Sequence, residues 1–304
     1  MQLSSAVRDV LDNYADERPG VRANLARLMM HGATAGSGRL VVLPVDQGFE
    51  HGPARSFAAN PAAYDPHYLF SLAVAARVSA FAAPYGLLAS GAGRFAGEVP
   101  LILKANSANA FGAIKDEAIT ATVRDALDLG CVAVGYTIYP GADRQYEMFE
   151  DVRSAAAEAR ASGLAVVLWA YPRGGGLSAA GETALDVVAY AAQIAAQLGA
   201  HIIKVKLPSA HIELEASRTA YAGFDLDDPV RRVAHVVESA FAGRRLVVFS
   251  GGALKDDAAL EAEARTIVAG GGSGSIVGRN SFQRPREEAI AMLERLAGIY
   301  TGAA

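Results

Sequence analysis

From Arg39 onward, short and continuously apolar runs alternate with longer Ala-rich segments. The runs are RLVVLPVD, VSAFAAPY, LILKAN, CVAVGYTIY, LAVVLWAY, HIIKVKL, LVVFSGG and SIVGRN. Unbroken hydrophobicity, as opposed to strict alternation, marks parallel strands covered on both faces, so the eight runs predict eight such strands. The segments between them predict helices: Asp116 to Leu129 ends before Gly130, Tyr146 to Ala161 before Gly163, and Thr183 to Leu198 before Gly199. A glycine just past a helix accepts the backbone conformation that closes the last turn.

Eight strand–helix units within roughly 260 residues predict an α/β fold of the (β/α)8 barrel type, for which about 250 residues is typical. On this reading 1–304 is a single domain, with 1–38 an N-terminal helical extension, 39–284 the barrel and 285–304 a C-terminal helix. A doubly wound open sheet is the runner-up, but no dinucleotide-type glycine signature follows the first run. The stretch Gly270-Gly271-Gly272-Ser273-Gly274 precedes the eighth run. It is therefore expected on the face opposite the active end, as a turn and not a phosphate cradle.

Composition narrows the class. Of 304 residues 52% are hydrophobic and 20% charged, which excludes a disordered chain. A formal net charge of -4 offers no field to gather a phosphate backbone, so a nucleic-acid partner is not expected. The lone Cys131 excludes an internal disulfide and a cysteine-based zinc site, and fits a reducing compartment. The opening MQLSSAVRDVLDNYADERPG is charged every few residues, unlike a signal peptide. The most apolar windows, Leu164 to Tyr171 and Leu246 to Phe249, are far shorter than the about 20 residues of a membrane helix. A cytoplasmic protein with no membrane partner is the expectation.

Polar chemistry gathers at the ends of the runs, where barrels carry their active sites. Lysine occurs at positions 104, 115, 204, 206 and 255, and three of these lie in predicted strands. Side chains alternate along HIIKVKL, so Ile202, Lys204 and Lys206 share one face and Ile203, Val205 and Leu207 the other. The second triplet is wholly apolar and belongs against the outer helices, which turns both lysines into the barrel. Burial of the deeper Lys204 and the neighbouring Lys206 both favour a free amine able to attack a carbonyl and form a Schiff base. A structural ion pair of Lys204 with Asp46 is the competing possibility, and parity alone leaves Lys204 and Lys206 equivalent. Tyr171, ending its run before Pro172-Arg173-Gly174, is either a packed aromatic or a proton carrier beside such an imine. Ser250-Gly251-Gly252 and Gly278-Arg279-Asn280 follow the seventh and eighth runs, the phosphate-binding corner of many barrels. Gly48-Phe49-Glu50-His51-Gly52 is read as a structured loop, because one Glu-His neighbour has no metal-ligand spacing, and no HxxH or HExxH occurs.

Taken together, LPVDQGFEHGP, LILKANSAN, VGYTIYPG, LWAYPRGGG, GAHIIKVKLP, FSGG and VGRNSFQR resemble the bacterial and archaeal type of class I fructose-bisphosphate aldolase, in order from about Arg39 to Arg284. The resemblance implies a metal-independent, cofactor-free barrel enzyme. It would cleave fructose 1,6-bisphosphate to dihydroxyacetone phosphate and glyceraldehyde 3-phosphate through a lysine Schiff base. Carried onto this chain, it makes Lys204 the imine-forming lysine, Tyr171 the proton-transferring tyrosine and Asp46 the assisting aspartate. It assigns substrate phosphate to Ser250, Gly251, Gly252, Gly278 and Arg279, and further substrate contacts to Lys104, Lys206 and Arg173. It also implies a homo-oligomer, with a pentamer-based ring common among members. His201 and Leu207-Pro208-Ser209 vary among relatives and bear on substrate preference. Alternatives are a Schiff-base aldolase or acyl transferase acting on another phosphorylated ketose, and a barrel that binds sugar phosphates without turning them over.

Overall fold

The structure, a computed structural model, describes residues 2–112, 115–250 and 254–303. Eight strands form the barrel: β1 Leu40–Pro44, β2 Ala80–Pro84, β3 Leu101–Lys104, β4 Ala133–Ile138, β5 Ala165–Ala170, β6 Ile202–Lys206, β7 Leu246–Ser250 and β8 Gly274–Ile276. Each lies parallel to its neighbours in chain order, and β8 closes onto β1 with Leu40 opposite Gly274. The (β/α)8 architecture and all eight expected strands are present.

The pleat divides each strand between two cores. Outward residues such as Leu103, Leu168, Ile203, Val205 and Phe249 join the layer beneath the helices. Inward residues such as Val42, Ala82, Ile102, Val167, Ile202 and Val248 fill the barrel lumen. Burial on both faces is why the runs carry no polar alternation.

The N-terminal extension completes the lumen core. Helices Ser5–Asp12 and Pro19–Met29 contribute Val7, Leu11, Val21, Leu25 and Leu28 to it, plugging the N-terminal end of the barrel. Tyr14, in the turn between them, donates its hydroxyl proton to the His201 carbonyl at 2.6 Å and accepts the Leu246 amide at 3.0 Å. It thus staples the starts of β6 and β7. His201 Nδ1 accepts from the Val166 amide at 2.8 Å, which assigns the ring proton to Nε2, 3.3 Å from Glu17. His201 foremost, then Arg160, hold the Glu17 carboxyl down at about 2 against the opposing effect of burial. The glycine-rich turn lies at this same end, as expected: Gly271, Gly272 and Ser273 line a groove with Asp9 and Asn13. Gly274 cannot carry a side chain, since its φ is +135° and a Cβ would fall 1.9 Å from the Leu40 carbonyl oxygen.

The expected helix over 116–129 is the main departure. Ala118–Ile119 instead pairs antiparallel with Asn106–Ser107, and the helix spans Val123–Asp128. Thr122 starts it through a capping box with Asp125. The upstream segment leaves the helical path because Glu117 enters a buried polar network with Lys104 and Tyr139, while Ala118 and Ile119 stay exposed. The other two expected helices span Gln145–Ala161 and Leu185–Gln197, and their terminating Gly163 and Gly199 take φ of +80° and +102°.

Candidate active site

The inward face of each strand, continued to its C-terminal end, builds the site. On β1 the inward set Leu40, Val42 and Pro44 leads to Asp46, and on β5 Val167 and Trp169 lead to Tyr171. Lys204 stands opposite Trp169 in register, and Lys206 opposite Ser250. Asp46, Tyr171, Arg173, Lys204, Lys206, Ser250, Gly278 and Arg279 all line one cavity of about 120 Å³. Gly251 and Gly252 lie outside the described residues.

The two lysines that parity left equivalent have different surroundings. Lys206 is 26% exposed and pairs with Glu182 at 3.3 Å. Lys204 is 5% exposed, and among the described residues no carboxylate forms an ion pair with it. The ion pair with Asp46 left open by the sequence is not formed. Lys204 Nζ instead lies 5.4 Å from the Tyr171 ring centroid and 5.7 Å from that of Trp169. An amine in this setting is desolvated by aromatic walls and open to a carbonyl carbon.

Among the described residues, four buried polar atoms on the cavity lining have no hydrogen-bond partner: Asp46 Oδ1, Gln47 Oε1, Trp169 Nε1 and Arg173 Nε. Each such atom costs about 1–3 kcal/mol, so their concentration around one cavity marks a place shaped for a polar ligand. The Tyr171 hydroxyl is 3.5 Å from Ser250 Oγ, joining the end of β5 to the end of β7. Gly278 brings the start of the last short helix close to the mouth, with a Cβ there only 3.0 Å from Gln47 Nε2.

Lys104 has a different place. It is fully buried, donates to Asn106 Oδ1 at 2.9 Å and to the Asn106 carbonyl, and faces Glu117 Oε2 at 3.5 Å. Its ammonium is committed to this network and does not line the cavity. Tyr139 donates to the other Glu117 oxygen at 2.6 Å, and the Arg173 guanidinium lies over the Tyr139 ring at 5.4 Å. Burial raises the Glu117 carboxyl, with Lys104 and Tyr139 opposing. The network thus braces Arg173 from behind.

Three contributors escaped the sequence reading. Glu50 lines the cavity, because 47–51 forms a helix and not a loop, and Glu50 follows Asp46 by one turn. Burial, then the charge of Asp46, pushes its carboxyl up to about 7, against the opposing Lys104 and Lys204. The i, i+4 spacing of two acids was the available signal. Trp169 was likewise visible two residues before Tyr171, on the same face. Gly135 on β4 makes room for the indole, since a Cβ there would fall 2.1 Å from Trp169 Cζ3. Among the described residues no group of three or more His, Cys, Asp or Glu could hold a metal ion, and no helix is long and apolar enough to cross a membrane.

Residues 40–284 match the family described as DeoC/LacD family aldolase. The chain belongs to this aldolase family. It is 34% identical over 300 residues to the probable fructose-bisphosphate aldolase class 1 of Chlamydia muridarum (strain MoPn / Nigg), covering 94% of this chain and 86% of that one. It is 35% identical over 263 residues to the fructose-bisphosphate aldolase class 1 of Halobacterium salinarum, covering 86% and 90%. An archaeal fructose-1,6-bisphosphate aldolase, solved with its catalytic lysine covalently bound to the carbinolamine intermediate of the substrate, superposes with a TM-score of 0.76 at 30% identity, covering 91% of this chain and all of that one, 100%. The aldolase thus carries, at the mouth of a barrel similar to that neighbour's, a buried lysine beside a tyrosine and two acids.

Proposed function

We propose that this aldolase cleaves fructose 1,6-bisphosphate reversibly to dihydroxyacetone phosphate and glyceraldehyde 3-phosphate through a Schiff base on Lys204. The observation that carries the reading is the buried Lys204 amine, without a carboxylate partner among the described residues and 5.4 Å from the Tyr171 ring. Lys204 adds to the C2 ketone of the open-chain sugar, and loss of water leaves a protonated imine. That imine accepts the electron pair of the C3–C4 bond as Tyr171 takes the C4 hydroxyl proton. Glyceraldehyde 3-phosphate leaves, Tyr171 returns the proton to C3 of the enamine, and hydrolysis frees dihydroxyacetone phosphate and Lys204. Asp46 orients the amine and the water. Ser250, Gly278 and Arg279, with Gly251 and Gly252, hold one phosphate, and Lys206 and Arg173 reach the remaining polar groups of the sugar.

The same proposal places the enzyme in the cytoplasm as a homo-oligomer of the pentamer-based kind. An apolar groove of about 570 Å³ between helices Gln145–Ala161 and Leu185–Gln197, rimmed by Tyr146 at 72% exposure and Tyr190 at 60%, supports self-association. Sedimentation of the native protein tests that assembly.

The reaction is tested by assaying fructose 1,6-bisphosphate cleavage in Lys204→Met and Tyr171→Phe. Lys204→Met is expected to abolish cleavage and borohydride-trapped adduct together. Tyr171→Phe is expected to keep the adduct and lose at least about a hundredfold in turnover, the lower end of what a positioned proton carrier supplies. Cleavage retained by Lys204→Met would refute the proposal.

A further inference from the structure

Imine formation needs an acid that the roles above do not provide. Adding the Lys204 amine to C2 gives a carbinolamine, whose hydroxyl leaves only when a proton reaches it. Tyr171 is occupied at C4 and C3, and Asp46 orients the amine.

We propose that Glu50 is the general acid of this step, a proposal that rests on the Schiff-base reading. The Glu50 carboxyl donates its proton to the C2 hydroxyl, the C–O bond breaks, water departs, and the nitrogen lone pair of Lys204 forms the C=N bond. The products are a protonated imine, a Glu50 carboxylate and one water, so charge is conserved and the two new ions pair with each other. In the hydrolytic half, the Glu50 carboxylate takes the proton back from the attacking water.

The geometry supports a protonated carboxyl here. Glu50 lines the same cavity as Lys204 and Tyr171, and stands one helical turn after Asp46, whose buried Oδ1 has no partner among the described residues. The Glu50 side chain is 22% exposed, and a second acid one turn before it disfavours its charged form. The other charged or titratable groups around Glu50 are His51 at 3.8 Å on its own helix, Lys104 on β3, Glu117 and Tyr139 on the neighbouring wall, Lys204 on β6, and Tyr171, Arg173, Lys206 and Arg279 lining the same cavity. Of Lys104 and Lys204, the cations that most favour the charged form of Glu50, the first is already shared between Asn106 and Glu117. Burial and Asp46 prevail and raise the carboxyl to about 7, near the operating pH where general acids are most effective. The GFEHG segment thereby gains a chemical role.

The test is rapid-quench borohydride trapping of Glu50→Gln and Glu50→Asp with dihydroxyacetone phosphate, alongside the wild type. Borohydride reduces the imine and spares the carbinolamine, so the trapping rate reports dehydration. Glu50→Gln, nearly isosteric, is expected to trap at least about a hundredfold more slowly, the low end of the span for positioned acids, while substrate affinity changes less than about threefold. Glu50→Asp is expected to restore part of the rate. The wild-type kcat/KM is expected to fall above pH about 7, and this limb should vanish in Glu50→Gln. A wild-type trapping rate and unchanged pH profile in Glu50→Gln would overturn the proposal, as would slowing that merely follows lost affinity. Should Glu50→Gln fail to fold, the alkaline limb of the wild type and the trapping rate of Glu50→Asp decide alone. No adduct in the wild type itself would instead overturn the Schiff-base reading.

Discussion

Replacing Gly135 by alanine tests how the site is held. Gly135 is paired with Lys104 on one side and Val167 on the other, so its backbone is fixed between β3 and β5. A Cβ there would fall 2.1 Å from Trp169 Cζ3, 2.7 Å from Cη2 and 3.3 Å from Cε3. Carbon atoms pack at about 3.5–4.0 Å, so the indole must move by roughly 1.5 Å. Trp169 is 1% exposed, so the indole can yield only by pushing on its packed neighbours or into the site cavity that it lines, and overpacking of this kind costs about 1–3 kcal/mol. For a chain of 304 residues the melting entropy is near 0.6 kcal/mol/K, so the midpoint should fall by roughly 2–5 °C. Lys204 stands opposite Trp169 in register, and a displacement of about 1 Å at a reacting group costs up to 10²-fold in turnover. Trp169 is the single tryptophan of the chain, so its emission reports the wall directly in thermal and urea melts. Adding Trp169→Leu should recover the lost stability, because the smaller side chain vacates the clash. An unshifted midpoint and unchanged emission in Gly135→Ala would refute this account of the wall.

Other outcomes follow from the polar networks. Tyr14→Phe orphans the buried His201 carbonyl and Leu246 amide, and should cost about 2–4 kcal/mol in urea unfolding. Glu117→Ala leaves the Lys104 ammonium buried without its carboxylate, and should cost about 3–5 kcal/mol. Glu17, lowered from 4.5 to about 2 in the folded state, contributes stability that is complete above pH 4.5 and drains as pH falls toward 2. Glu17→Gln should flatten that stretch of a stability–pH curve. Cys131 is buried and its thiol pushed up to about 12, so thiol reagents at pH 8 should label it only as fast as the protein opens.

Much of this arrangement was legible along the chain, for reasons particular to each element. HIIKVKL placed Lys204 inside the barrel because one face of the strand was wholly apolar, and alternation allows no other solution. Leu40 to Asp46 carried the same information for the aspartate. The contrast between Lys204 and Lys206 was not legible, since it depends on Glu182, which comes from a different loop. The helix expected from Asp116 failed because Glu117 finds its partners on β3 and at the end of β4, contacts that local propensity does not contain. Glu50 was hidden by the glycines around it, which suggested a loop where a short helix forms. The N-terminal extension offered amphipathic helices but no hint that they seal the barrel floor.

The most direct test of the central claim is peptide mapping after borohydride reduction of the enzyme with dihydroxyacetone phosphate. The mass of one reduced adduct is expected on Lys204, with Lys206 and Lys104 unmodified. Label on Lys206 with none on Lys204 would contradict the assignment of the reactive amine. No label at all would mean that this barrel does not work through a Schiff base.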